Sequence, residues 1–203
     1  RGLGDVYKRQ LLRQCAHPGG AAICGAMLWY PDETIQHAGI VTGLGGYAGH
    51  SHKYKKKGGS GYLFRTSTVQ DFSGVTGACL LVKTAVYDEM HGLDEQFAVA
   101  FNDVDFCLRV RDAGYRIAWT PYAELVHYES KSRGGDEKDP VKAARFAAEQ
   151  QRLYTIHGKE NILDDPYYNP NLTRDREDFS ESDDLRRLKE GRVTVRFRGG
   201  TLQ

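Results

Sequence analysis

A chain of 203 residues with 40% hydrophobic residues is long enough for one sizeable core, and this composition excludes a disordered polymer. Its 28 basic and 27 acidic residues leave a formal charge of +1, which gives no global attraction to nucleic acid, so no nucleic-acid partner is expected. No apolar run approaches the roughly 20 residues that span a bilayer, and Cys15, Cys24, Cys79 and Cys107 stand apart without a CxxC pair, as expected of reduced, mostly core thiols in a cytoplasmic protein.

In chain order, the first ten residues, RGLGDVYKRQ, resemble the translated sequencing-adaptor tag found at the ends of shotgun-assembled reading frames. Residues 1–10 are therefore set aside as an artefact, and the natural protein is expected to extend upstream. The domain is expected over 11–180, with a loose tail over 181–203. From Ala21 to Val41 the apolar runs AAICGAMLWY and TIQHAGIV flank Pro31 and Asp32, predicting two strands joined by a tight turn. Between Thr42 and Tyr62, seven glycines and the cluster HSHKYKKKGG predict a mobile loop that buries little. Its four lysines read as a solvated run, with phosphate contact as the alternative.

VTGACLLV, residues 75–82, is continuously apolar and predicts a strand buried on both faces, followed by a short helix over KTAVYDEM that Gly92 ends. FNDVDFCLRVRDAGYR predicts the best-defined helix. Asn102 takes the N-cap position, Val104, Cys107 and Leu108 share a face, and Gly114 stops it. IAWT and AELVHY read as strands around Pro121, and SKSRGGDEKD breaks the pattern. A last helix is expected from about Pro140, capped by Asp139, to His157 before Gly158. DDPYYNPNLTRDREDF is expected to form an ordered but irregular wrap. Helices interleaved with strands predict an α/β layer fold without internal repeats.

The chain carries no Walker P-loop, GxSxG elbow, GxGxxG turn, HExxH or CxxC. What remains is a carboxylate pair at a helix start, Asp103 and Asp105, and a strand-end histidine, His127. A helix N-terminus stabilises negative charge, so a carboxylate there is held ionised and can accept a proton. Ordinary capping accounts for the same acids equally well. His127 by itself reads as a hydrogen-bonded structural residue or as a metal ligand in need of companions. His37, His50 and His52 follow no ligand spacing.

Three stretches in order, VTGACLLVKTAVYDEMHGLDEQF, AFNDVDFCLRVRDAGYR and WTPYAELVHYESKSRG, resemble the second half of bacterial family-two glycosyltransferases. YPDETIQHAGIVTG upstream and DPYYNPNLTRDREDF downstream are similar to members that build cell-surface polysaccharides. The resemblance covers roughly Ala21 to Phe179. It implies part of a glycosyltransferase A-type α/β fold, a mixed sheet flanked by helices, with the nucleotide-binding half largely missing upstream. It implies Asp103 as general base of an inverting transfer, with Asn102 standing where the family carries another acid. It also implies Thr76 and Gly77 beside donor and acceptor, and His127 as a ligand of Mg2+ or Mn2+ whose Asp-x-Asp ligands lie upstream. The implied partners are a nucleotide-sugar donor and a glycan or lipid-linked saccharide acceptor. The implied setting is the cytoplasm, at the inner face of the plasma membrane, with peripheral membrane contact made through the missing parts. Two other readings stand beside this one: a non-catalytic carbohydrate-binding or scaffold module, which Asn102 favours, and a metal-dependent hydrolase using Asp103 and His127.

Overall fold

The computed structural model describes residues 3–128, 140–183, 195–197 and 200–202. The elements follow the order α1 (Leu3–Cys15), β1 (Ile23–Trp29), β2 (Ile35–His37), β3 (Ile40–Thr42), β4 (Ala48–His50), β5 (Gln70–Asp71) and β6 (Leu80–Val82). They continue with α2 (Thr84–Glu89), α3 (Asn102–Asp112), β7 (Ile117–Val126), α4 (Pro140–His157), α5 (Lys159–Leu163), β8 (Val195–Phe197) and β9 (Gly200–Leu202).

All seven residues of β1 are buried, because ICGAMLW has no polar side chain to leave in water and the strand has packed layers on both faces. β7 runs parallel beside it on one side. On the other side β2 and β6 pair antiparallel with its two ends, and β5 extends the far edge of β7, giving a mixed five-stranded sheet. Alternate residues of β1 serve different cores. Ile23, Met27 and Trp29 join Phe106, Cys107 and Val110 of α3, with Tyr168, Leu172 and Phe179 closing that side. Cys24, Ala26 and Leu28 face Leu11 and Cys15 of α1. A third cluster, including Phe101, Leu108, Leu153 and Ile162, fixes α4 and α5 to the outer face of α3. Helices thus cover both faces of a mixed sheet.

β7 is one strand where the sequence predicts two. Ala26 pairs with Thr120 and Met27 with Glu124, so Pro121, Tyr122 and Ala123 form a bulge with no partner on β1. Proline has no N–H to give the ladder, which is why the excursion begins there. Beyond it the alternation reverses. Trp119 faces the α3 side, whereas Ala123 and Leu125 face α1.

Three further expectations are corrected. VTGACLLV is a strand only over Leu80–Val82, half-buried rather than buried on both faces, because it sits at the sheet edge and residues 76–79 turn. The glycine-rich stretch after Thr42 contains the β3–β4 hairpin and buries Ser51 and His52 completely. Glycines at positive φ at positions 43, 45 and 46 allow the tight reversal, and the His52 ring stacks on Phe179. The N-cap of α3 is Phe101, at φ 63, with Asn102 the first helical residue.

The turn at Pro31 and Asp32, the 102–112 helix with Gly114 behind it, and the end of α4 at His157 lie where the sequence places them. SKSRGGDEKD, and with it Asp139, lies outside the described residues. The predicted wrap is ordered by buried Asp165, whose carboxylate accepts the backbone N–H of Thr42 at 2.7 Å. α1 runs from Leu3 without a break through residue 10 into Leu11 and Cys15. β8 and β9 pair antiparallel in the tail.

Candidate functional site

Asp103 sits in the first turn of α3, next to Phe101. The left-handed backbone of Phe101 is held by ring contacts to Tyr47 and Phe146, at 5.4 and 5.1 Å between centroids. Non-glycine residues in that conformation carry a steric cost that surrounding packing must offset. One carboxylate oxygen of Asp103 accepts the N–H of Val104 at 2.9 Å, and the other accepts the N–H of Gly77 at 2.8 Å. Asn102 Oδ1 accepts the N–H of Asp103 at 2.7 Å. The fold therefore gathers Thr76, Gly77, Asn102 and Asp103 at one place, although Gly77 and Asp103 are 26 positions apart.

The turn bearing Thr76 and Gly77 is held from beneath. Val75 donates its N–H to Cys107 Sγ at 3.5 Å, and the same thiol lies 3.6 Å from the Val75 carbonyl oxygen. Burial pushes the Cys107 thiol up to about 12, so it acts as a packing group and not as a nucleophile. From the sheet side, His37 Nε2 accepts the N–H of Thr76 at 3.4 Å.

His37 is fully buried, and burial, followed by the neighbouring His50, holds it well below the usual imidazole range. A neutral ring accepting at Nε2 carries its proton on Nδ1, which donates to His50 Nδ1 at 2.9 Å. The backbone N–H of His50 in turn donates to Glu177 at 2.6 Å. Sequence reasoning left His37 and His50 without a role. The one available signal was a histidine within the run TIQHAGIV, where a buried imidazole must find partners.

Asp105, paired with Asp103 in the sequence, has a different environment. It is 1% exposed, held by Arg109 at 2.8 Å and His157 at 2.8 Å. It is a buried structural carboxylate that ties α3 to α4.

His127 follows β7 and donates its backbone N–H to the Trp29 carbonyl at 3.0 Å. Its Nδ1 lies 2.8 Å from Gln36 Oε1, which fixes the proton on Nδ1 and leaves Nε2 as the acceptor. That is the tautomer a metal-binding histidine needs. Companions are lacking: among the described residues no group of three His, Cys, Asp or Glu side chains could hold a metal ion. The residues present offer one ligand atom and do not by themselves make a metal site.

Two of the surface clefts are lined by described residues. The larger, about 580 Å³, lies between the β3–β4 hairpin and residues 175–178 and reaches His50 and Glu177. The smaller, about 330 Å³, lies beside the β7 bulge between Trp29, Lys57 and Glu124. Asp103 lines neither.

No protein-family model matches the chain. The chain is 48% identical over 161 residues to the uncharacterized protein y4gI of Sinorhizobium fredii (strain NBRC 101917 / NGR234), covering 79% of this chain and 18% of that protein. It is 33% identical over 165 residues to the O-antigen biosynthesis protein RfbC of Myxococcus xanthus, covering 81% of this chain and 12% of RfbC. Over 80 residues it is 32% identical to an N-acetylglucosaminyl-diphospho-decaprenol L-rhamnosyltransferase of Mycobacterium tuberculosis (strain ATCC 25618 / H37Rv), covering 39% of this chain and 24% of the enzyme. The chain thus spans less than a fifth of the length of the first two relatives.

Proposed function

We propose that this chain is the acceptor-side part of a longer glycosyltransferase that moves a sugar, with inversion, from a nucleotide-diphosphate donor to a glycan or lipid-linked saccharide. Two relatives are named for O-antigen biosynthesis and rhamnosyl transfer, and the mixed α/β layers are compatible with half of a glycosyltransferase A-type fold. The observation that carries the reading is the Asp103 carboxylate, set at the start of α3 and held by the N–H of Gly77 from the turn after the buried Val75.

In the proposed reaction the acceptor hydroxyl gives its proton to Asp103 while its oxygen forms the bond to the anomeric carbon. The bond from that carbon to the diphosphate oxygen breaks on the opposite face, and the leaving diphosphate takes the electron pair. Gly77 and Val104 keep the carboxylate from rotating away during the transfer, which is the positioning that general-base catalysis needs. His127 would offer Nε2 to Mg2+ or Mn2+, a Lewis acid for the departing diphosphate, with the remaining ligands supplied from outside the described residues.

The test is Asp103→Asn in the gene product extended upstream, assayed for transfer from nucleotide-sugar donors. Turnover should fall on the order of 100- to 10,000-fold with an unchanged circular dichroism spectrum. Undiminished transfer removes Asp103 as the base. Asn102, where the resembled family has an acid, favours a second reading as a glycan-binding module. Retained glycan binding without any transfer by the extended wild-type protein would establish that reading instead.

A further inference from the structure

After β4 the chain pairs through residues 54–57 with residues 33–35 beside β2, and residues 58–67 then form a closed excursion whose polarity is inverted. His52 pins its base: the buried ring stacks on Phe179 with centroids 4.1 Å apart and accepts the N–H of Tyr62 at 2.9 Å. Tyr62 and Arg65 both turn inward. The Tyr62 hydroxyl accepts from Asn169 at 3.0 Å, and the Arg65 guanidinium lies over the rings of Phe72 and Phe179 at 4.9 and 5.8 Å. Between these anchors Leu63 and Phe64 point out, 74% and 67% exposed, on left-handed backbone at φ 46 and φ 61. A cation is folded in while two adjacent apolar side chains are held in water on backbone that both residues adopt only at a steric cost.

The paired stretch that leads into the excursion is basic. Residues 51–70 carry Lys53, Lys55, Lys56, Lys57 and Arg65 and no acid. Lys57 is committed to Glu124 at 2.9 Å, and Lys53 stands 4.0 Å from Glu177. Lys55 and Lys56 are exposed, and neither has an ion pair among the described residues.

We propose that this excursion seats the protein on an anionic bilayer surface, with Leu63 and Phe64 entering the boundary between headgroups and acyl chains while Lys55 and Lys56 face lipid phosphates. Two protruding side chains fall far short of the roughly 800 Å² per partner of a stable protein interface. A membrane anchor needs only a few apolar residues beside positive charge. The assignment is independent of the proposed sugar transfer.

The experiment is sedimentation of the 203-residue chain with vesicles of phosphatidylcholine alone and of phosphatidylcholine with about a third phosphatidylglycerol. Binding is expected only to the anionic vesicles, weakening as salt screens the lysines. Lys55→Gln with Lys56→Gln should weaken binding roughly 30-fold. Leu63→Asn with Phe64→Asn should abolish it, and asparagine tolerates left-handed backbone, so the turn should persist with an unchanged circular dichroism spectrum. No binding to anionic vesicles, equal binding to both kinds, or binding indifferent to the asparagine pair overturns the proposal. Self-association lost in the asparagine pair, with no vesicle binding, would also overturn it and assign the tip to a second copy of the chain.

Discussion

His157 Nε2 lies 2.8 Å from Asp105 Oδ1, joining the last turn of α4 to the first turn of α3 through a carboxylate that is 1% exposed. The other oxygen of Asp105 takes two hydrogen bonds from Arg109, at 3.0 and 2.8 Å, and Arg109 also donates to the carbonyls of Met90 and Gly92. One buried acid therefore aligns α3, α4 and the end of α2. A buried charge of this kind is tolerated only while its partners remain.

Asp105→Ala should destabilise the protein by about 3–5 kcal/mol, because it leaves Arg109 without its counter-charge and His157 without its hydrogen-bond partner. Burial alone raises the Asp105 carboxyl, but the hydrogen bonds from His157 and Arg109 outweigh it and hold the group below its ordinary 3.8. Its contribution is therefore complete above that value and is lost as pH falls through the lower, folded-state value. Urea midpoints of the two proteins would decide the matter. A variant within about 1 kcal/mol of wild type would refute the linking role.

A second pH effect arises at His52, which burial, helped by Lys55 and Arg65, lowers from 6.5 to about 3. Between those values the unfolded chain binds a proton at this position and the native chain does not. Acidification therefore favours unfolding, and stability should fall by up to about 1.4 kcal/mol per pH unit across that window. His37 acts in the same direction. His52→Phe keeps an aromatic ring for Phe179 and removes the titration, so its urea midpoint should vary less than wild type between about pH 7 and about pH 5. Identical slopes in the two proteins would exclude His52 as a source.

Gly25 makes room for Val75. A β-carbon at position 25 would stand 2.5 Å from Val75 Cβ, in the middle of β1 where the backbone cannot retreat. Gly25→Ala should destabilise by about 1–3 kcal/mol. Val75→Gly, itself destabilising, removes the β-carbon that clashes and should recover part of that loss when the two are combined. Simple additivity in the thermal midpoints of the double-mutant cycle would show that the contact carries no strain.

The apolar runs around Pro31, the 3.6-residue pattern from Val104 to Leu108 and the stop glycines were legible because each is local. The histidine network was not. His50 and His52 sit among glycines and lysines, and what holds them is Glu177 and Phe179, more than 120 residues away, while His37 meets the N–H of Thr76, 39 positions downstream. The lysine run misled in the same way, since its composition is that of a solvated loop while its first residues are pinned beneath the C-terminal wrap. Of the candidate site, the resemblance pointed to Thr76, Gly77 and Asp103, and folding supplies the 2.8 Å contact that spacing alone does not reveal. Asp105 looked equivalent to Asp103 because helix grammar treats first-turn acids alike. His157, which separates their fates, lies 52 positions downstream of Asp105.

The bulge at Pro121–Ala123 behaves as a phase shifter. Three extra residues invert the in–out parity of everything that follows, so Leu125 reaches the α1 side while Glu124 meets the indole N–H of Trp29 at 2.9 Å. Loss or gain of one residue there would restore the original parity and drive Glu124 toward the apolar layer beneath α1, whereas a change of two would preserve it. Length variation at this point is therefore tolerated in even steps, a rule that insertions and deletions across homologous chains should obey.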